Sequence, residues 1–216
     1  MSLFLVSSVF AIGRDGFVVN VVQHKEIIKE FSHEVAIPFN SEYEIRLKNT
    51  HDRRATARVY IDGVKVSALG DFVIPPKADI DLERFLDRSL TEGKRFKFVP
   101  LSHPEVNDPY SSENGIIKVE FRMEKKLPEL ILSPQYYERY PWGLSNNTLP
   151  VEGSTTLGLT ETSTLTSFTS DSFNASNTAC SAGATIGGSM SDQTFSRIHF
   201  DVEDEAVVLT LRMVGR

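Results

Sequence analysis

Apolar and polar residues alternate in several short stretches of this chain, a pattern typical of strands with one face buried and the other in water. The strongest alternation is in residues 117–123, where apolar residues occupy the odd positions and charged residues the even ones. Residues 42–49 and 57–61 alternate in the same way, and Asp62-Gly63 after them is a signal for a tight hairpin. Residues 42–66 therefore predict an antiparallel meander.

Weaker patterns precede and follow this meander. Residues 25–31 have a helical character in a segment too short to carry a helix by itself, and residues 80–86 fit a strand or a single helical turn. Gly187-Gly188 interrupts residues 183–195, the first part of a predicted closing hairpin, and indicates a β-bulge or a close backbone approach. The further predicted strands are residues 17–22, 64–66, 72–74, 95–99, 127–132, 194–202 and 206–213.

The last predicted strand, residues 206–213, needs a partner distant in sequence, because an isolated hairpin is barely stable. The best candidates are the strands before residue 125. A sheet that closes on its early strands across a long excursion is typical of Greek-key and jelly-roll sandwiches. We therefore predict an all-β, single jelly-roll or Greek-key β-sandwich, with residues 1–35 as an N-terminal arm or edge strands and residues 36–216 as the sandwich domain.

A long loop, at about residues 133–182, is predicted to be inserted into this domain. Prolines bracket an aromatic patch in its first part, and Ser, Thr, Asn and Gly dominate from residue 153 onwards. The patch predicts a protein interface, a platform for sugar rings, or rings packed over the edge of the sandwich. Its members are Tyr136, Tyr137, Tyr140 and Trp142.

The composition limits the class of protein. One all-β domain is common at 216 residues, and the contents of 40% hydrophobic and 24% charged residues are ordinary for a globular protein. The net charge of −6 argues against a dedicated nucleic-acid-binding protein, which normally carries a basic surface. Residues 1–12 are apolar, but they lack the basic start of a secretion signal and are shorter than a membrane span. They predict a strand that is buried or covered by a partner.

No residues with catalytic or metal-binding spacing are found in the sequence. The five histidines occur singly, and Cys180, the only cysteine, has no histidine or basic residue near it. We therefore predict no catalytic residue, no metal ion and no cofactor, and expect the protein not to be an enzyme. A pair of carboxylates for glycoside hydrolysis is assembled by the fold, so that activity stays open as an alternative.

Two stretches of the sequence resemble a known module. The first comprises Tyr43, Ile45, Leu47, Asn49, Val59 and Ile61-Asp62-Gly63 within residues 42–66, and the second is Gly183-Ala-Thr-Ile-Gly-Gly-Ser-Met-Ser-Asp-Gln-Thr-Phe195. Together they resemble a β-sandwich module of virion structural proteins of large DNA viruses, which also occurs in some phage and bacterial proteins. The resemblance implies a single jelly-roll capsid component of the penton (vertex) or minor capsid type. It leaves residues 1–35 and 125–180 unmatched.

The sequence as a whole predicts a non-enzymatic structural protein of a viral capsid that self-assembles through edge and loop contacts, at the vertex. The expected partners are other copies of the chain, with a pentamer favoured, and neighbouring capsid proteins. No nucleic acid and no membrane span are expected, and a bound glycan is left open. The expected location is the virion, after synthesis in the host cytoplasm. The candidate interface residues are Phe4, Val6, Phe10, Tyr136, Tyr137, Tyr140 and Trp142.

A carbohydrate-binding or adhesin-like β-sandwich is the main alternative, with the aromatic patch as the surface on which sugar rings stack. A glycoside hydrolase is the third hypothesis. Binding to a glycan array, lost in Trp142→Ala, distinguishes the second hypothesis from the first, and turnover of a polysaccharide distinguishes the third.

Overall fold

Residues 12–126 and 181–216 are described in the computed structural model, and this part of the chain is all-β, as predicted. It contains fourteen strands and no helix. The described residues therefore include no helix that is long and apolar enough to cross a membrane. The strands are β1 Ile12–Arg14, β2 Phe17–Gln23, β3 Glu26–Ile27, β4 Glu30–Phe31, β5 Glu34–Ile37, β6 Ser41–Asn49, β7 Ala55–Ile61, β8 Val64–Lys65, β9 Phe72–Ile74, β10 Ala78–Leu82, β11 Gly93–Pro100, β12 Ile116–Met123, β13 Ser181–Ser191 and β14 Val207–Gly215.

These strands form one large sheet that folds into two facing layers. The hydrogen-bonded order is β1-β2-β6-β11-β13-β14-β12-β7-β8, and β5 on β14 is the parallel pair among otherwise antiparallel pairs of the described strands. Although β2 and β12 are far apart in this order, Phe17 of β2 stacks on Phe121 of β12 with ring centroids 4.5 Å apart. The fold is therefore sandwich-like, with β2, β6 and β11 in one layer and β7, β12 and β14 in the other. The predicted meander is wrong between β6 and β7, which do not pair, and is confirmed at the β7–β8 hairpin.

The alternation along the strands decides which side chains fill the space between the layers. In β6, the apolar side chains of Tyr43, Ile45 and Leu47 are buried, and the polar residues between them are more exposed. The apolar residues of β7 and β12 are buried in the same way. Full burial of one large apolar side chain stabilises a fold by roughly 1.5–3 kcal/mol. The three strands with the clearest sequence pattern thus form the centre of the core.

The segment with a helical character in sequence, which is too short to carry a helix by itself, forms none. Residues 25–31 contain the short strands β3 and β4, with tight turns at His24-Lys25 and Ser32-His33. All four turn residues have positive φ angles between 52° and 68°. Positive φ at both central residues is typical of two-residue hairpin turns and is incompatible with a right-handed helix.

The predicted strand over residues 194–202 is wrong. This segment forms no continuous hydrogen-bond ladder with a neighbouring strand. It is held by separate contacts: the Phe195 N–H donates to Leu90 O, the Lys125 N–H donates to Asp201 O, and Val202 forms an isolated bridge with Glu124. The segment is fixed by individual side chains that pack against the core, so alternation alone misassigns it. The predicted strand over residues 127–132 lies outside the described residues.

The closing hairpin also needs correction. β14 forms as predicted and pairs with β12, a strand before residue 125, but it shares with β13 only the pairs Ser181↔Gly215 and Ala182↔Val214. The main partner of β13 is β11, from Gly93↔Ser191 to Pro100↔Gly183.

The predicted irregularity at Gly187-Gly188 is confirmed. The register between β11 and β13 shifts there, so that β13 carries one extra residue. A Cβ atom at Gly188 would lie 2.6 Å from Glu42 Oε1. The strand bulges, and a bulkier residue would have to displace its neighbours.

The N-terminal described residues belong to the same sheet. β2 lies between β1 and β6, and its Phe17, Val19 and Val21 are buried in the common core. β5 pairs in parallel with the last strand, from Glu34↔Arg212 to Ile37↔Gly215. Residues 12–37 thus contribute an inner strand and a cover for the end of β14.

Candidate interaction cleft

The seven candidate interface residues of the sequence lie outside the described part of the chain. They are Phe4, Val6, Phe10, Tyr136, Tyr137, Tyr140 and Trp142. Their role in an interface therefore stays a prediction. The surfaces that follow were not singled out by the sequence patterns.

A cleft of about 800 Å³ opens between four segments at one end of the sandwich. Its walls come from the β7–β8 turn, residues 85–94, residues 105–114 and the β13 residues 184–190. We call it the β13 cleft. It lies beside the part of β13 that no longer pairs with β14.

The β13 cleft faces an open strand edge. On one side β13 pairs with β11, and on the other side only Ser181 and Ala182 pair with β14. The N–H of Thr185 points away from β11, because it donates to Asp62 Oδ2 at 2.5 Å. Backbone groups two residues apart in a strand point the same way, so the N–H and C=O of Gly187 also face the cleft. In the described part of the chain, no strand pairs with this edge beyond Ala182.

Asp62 closes the base of the cleft. Asp62 and Gly63 form the tight turn that the Asp-Gly sequence predicts, with positive φ angles of 52° and 76°. Its carboxylate accepts the N–H of Gly115 at 2.7 Å as well as that of Thr185. Burial raises the pKa of Asp62 to about 6, although the two N–H donors act in the opposite direction. One carboxylate thus joins three segments that are distant in sequence.

A second hydrogen bond lies beside Asp62 in the core. The hydroxyl of Tyr43 and Oγ1 of Thr185 are 2.8 Å apart. Burial raises the pKa of Tyr43 well above its ordinary value, so the phenol stays neutral. Thr185 is therefore fixed through both its backbone and its side chain, and the first part of the open edge is rigidly held.

The charges around the cleft are unbalanced. Lys65 already pairs with Asp71, outside the cleft, at 3.0 Å. The remaining cations of the lining are Arg88 and Lys94. The carboxylates of the lining, which form no ion pair with any described residue, are Asp62, Asp87, Glu92, Glu105 and Asp108. Among the lining residues, the carboxylates without an ion pair outnumber such cations by five to two, and the buried guanidinium of Arg84 is a further positive charge near Glu92.

Apolar side chains form part of the rim. Val64 and Met190 line the cleft and are 66% and 61% exposed. Ile61, Phe85 and Ile186 lie among the other lining residues. Exposed apolar groups beside an open strand edge are typical of a surface that contacts another chain.

A second cavity, of about 850 Å³, lies under residues 193–200. It is lined mainly by apolar residues, among them Leu69, Ile80 and Phe195. Its covering segment is anchored by Arg84, which is fully buried and directs its Nε and Nη2 donors at the carbonyl oxygen of Gln193 at 2.9 and 2.8 Å. The Phe195 ring lies 5.0 Å from the same guanidinium. Arg84 therefore anchors residues 193–200, which form no hydrogen-bond ladder with a neighbouring strand.

Sequence reasoning missed Arg84, although a signal was present. Leu82, Arg84 and Leu86 alternate, and all three are buried, so the pattern places the arginine on the inner face. The guanidinium also donates to the carbonyl oxygens of Phe85, Ser89 and Glu92. Five hydrogen bonds to backbone oxygens replace the carboxylate partner that a buried arginine usually needs.

Within residues 12–126 and 181–216, no three His, Cys, Asp or Glu side chains are grouped to hold a metal ion. What the described geometry offers is a charged and partly apolar cleft beside unpaired backbone.

Comparison with known proteins found no matching family model, no similar curated protein and no similar solved structure.

Proposed function

We propose that this chain is a non-enzymatic structural β-sandwich protein that self-associates through its strand edges. The observation that carries this proposal is the outer edge of β14. Val207–Leu211 pair with β12 on one side, and β5 covers β14 on the other side only from Arg212 onwards. Along Val207–Leu211 no described strand pairs with this edge, although β1 lies close to β14. An unpaired strand edge is a ready template for pairing with another chain.

The geometry of this edge suits addition of a strand. The N–H of Arg212 points towards β5, since it donates to His33 O, and the N–H of Met213 points the other way, to Gly115 O. Val208 and Thr210, in phase with Arg212, therefore direct their N–H and C=O groups outwards. Val208 is 41% exposed, and Phe31 on the adjacent β4 is 84% exposed. The outward N–H and C=O groups of Val208 and Thr210 have no backbone partner among the described residues, and Phe31 lies on β4, which pairs with β5.

The most specific form of the proposal is a capsid component at the vertex of a virus particle, arranged as a pentamer beside neighbouring capsid proteins. It is supported by the resemblance of residues 42–66 and 183–195 to virion structural proteins. Contacts that repeat head to tail close into rings when the rotation permits. In this proposal Phe4, Val6, Phe10 and the aromatic patch add contacts between copies. The virion is then the place where the protein acts.

The finer topology is also proposed rather than described. A single jelly roll combines two Greek keys, in each of which the fourth strand returns beside the first. In the described sheet β2 lies beside β1, β3 and β6, which are close to it in sequence. Other neighbours are far apart in sequence: β6 pairs with β11, and β13 lies between β11 and β14 although it follows β12 in the chain. The single jelly-roll or Greek-key order that the sequence predicts stays our proposal for the finer topology.

The experiment that tests self-association is the mass of the purified full chain by light scattering over a range of concentrations. Thr210→Pro removes one outward N–H from the edge of β14 without removing a bond to β12. We expect a multimer in the native chain and a weaker one in this variant. A chain that stays monomeric at every concentration contradicts the proposal.

A further inference from the structure

We infer that the β13 cleft binds an extended peptide segment of another protein, one with net positive charge and apolar side chains at alternate positions, by adding it as a strand to the open edge of β13. This inference goes beyond self-association, because the occupant belongs to a different chain and the site is separate from the edge of β14. A monomeric form of the protein is able to bind in this way.

The backbone of β13 requires an extended occupant. The N–H and C=O of Gly187 and the C=O of Thr185 point into the cleft. None of these three groups is hydrogen-bonded to another described residue. A peptide strand beside them would satisfy these groups in the manner of strand addition to a sheet edge. The bulge after Gly187 limits the added strand to a few residues.

The rim selects the side chains of the occupant. Successive residues of a strand point to opposite faces, so every second side chain meets the same wall. Val64 and Met190 offer exposed apolar contacts at the cleft. Apolar residues at alternate positions of the peptide would cover them, and the remaining positions are free to carry charge.

The charge of the cleft selects a cationic occupant. Five lining carboxylates have no ion pair among the described residues, against two such cations, Arg88 and Lys94. Lys or Arg side chains on the peptide would compensate the excess, and complementary charge speeds association and excludes wrong partners. A second copy of this chain is a poorer occupant, because each copy carries a net charge of −6.

The test uses the full chain, labelled with ¹⁵N, and the synthetic peptide acetyl-Lys-Val-Lys-Val-Lys-Val-Lys-amide. We expect the amide signals of residues 185–190 to shift on titration, and hydrogen exchange of the Gly187 amide to slow. The same peptide with N-methyl groups on its valines is unable to donate hydrogen bonds from those positions, and should bind about tenfold or more weakly. A peptide with Glu in place of Lys should also bind at least about tenfold more weakly.

Variants of the protein locate the site. Val64→Lys and Met190→Lys each remove an apolar contact and add a like charge, so each should weaken binding of the lysine peptide severalfold. Phe31→Lys makes the same change at an exposed apolar residue that is not part of the cleft lining, and should leave binding unchanged. Gly187→Pro removes the inward-facing N–H, so it should weaken binding of the lysine peptide.

Several results would overturn the inference. They are no binding of the lysine peptide up to about 1 mM, equal binding of the N-methylated or the glutamate peptide, and shifts that map away from residues 185–190. Protection of the Gly187 amide in the free protein that grows with protein concentration would also overturn it, because a second copy would then occupy the edge.

Discussion

The Asp62 carboxylate accepts the backbone N–H of Thr185 at 2.5 Å, a bond that joins the β7–β8 turn to the open edge of β13. The two residues are 123 positions apart. A second donor, the N–H of Gly115, reaches the same carboxylate from the loop before β12. A single side chain therefore holds the base of the β13 cleft, and its protonation affects both fold and cleft.

Stability should decrease as the pH rises through the pKa of Asp62. Burial raises that pKa from 3.8 in the unfolded chain to about 6 in the fold, so the native state holds the proton more tightly. The contribution of the neutral carboxyl is fully present below pH 3.8 and is lost as the pH rises through 6. It amounts to about 3 kcal/mol. Urea unfolding across this range should show the native chain losing stability relative to Asp62→Asn, and parallel pH profiles of the two proteins would contradict the assignment.

Replacing the buried arginine should strongly destabilise the fold. Arg84→Met keeps the volume but leaves the carbonyl oxygens of Phe85, Ser89, Glu92 and Gln193 without their donor. Each buried acceptor without a partner costs about 1 kcal/mol or more, so we expect a loss of about 3 kcal/mol in the free energy of unfolding. Arg88→Met, at an exposed arginine nearby, should change it by less than about 0.5 kcal/mol. Equal effects of the two substitutions would show that the hydrogen bonds of Arg84 are not needed.

The contact between the two layers predicts a large effect of removing one ring. Phe121 is fully buried and stacks on Phe17, with an angle of 10° between the ring planes. Phe121→Ala should lower the free energy of unfolding by about 3–5 kcal/mol, through lost burial and the cavity that remains. Phe31→Ala, at an 84% exposed ring, should lower it by less than about 0.5 kcal/mol. Chemical denaturation measures both, and a small effect at Phe121 would contradict the packing of the two layers.

Local alternation predicted the strands of the core but not their partners or the cleft. The positions of β6, β7 and β12 can be predicted from the sequence. Each strand buries one face, so apolar and polar residues alternate along it. The pairing of β13 with β11 is set by contacts distant in sequence, and no local pattern records it. Gly187-Gly188 signalled the bulge, whereas the unpaired edge beside it depends on where β14 lies in the fold. Asp62 was recognised as a turn residue, and its link to Thr185 required the tertiary structure.

Blocking the edge of β14 should weaken self-association while leaving the fold intact. Thr210 directs its N–H outwards, so Thr210→Pro removes a donor for a neighbouring chain and no bond to β12. Thr210→Ser keeps the N–H and serves as the matched control. We expect the dissociation constant of the multimer to rise about tenfold or more in the proline variant only. Analytical ultracentrifugation measures it, and an identical constant for both variants would exclude this edge from the interface.

The mass of the purified full chain in solution, measured by light scattering over a wide range of concentrations, tests self-association most directly. The account predicts a defined multiple of the 24.2 kDa chain mass, with five copies favoured. A mass of 24.2 kDa at every concentration would contradict it.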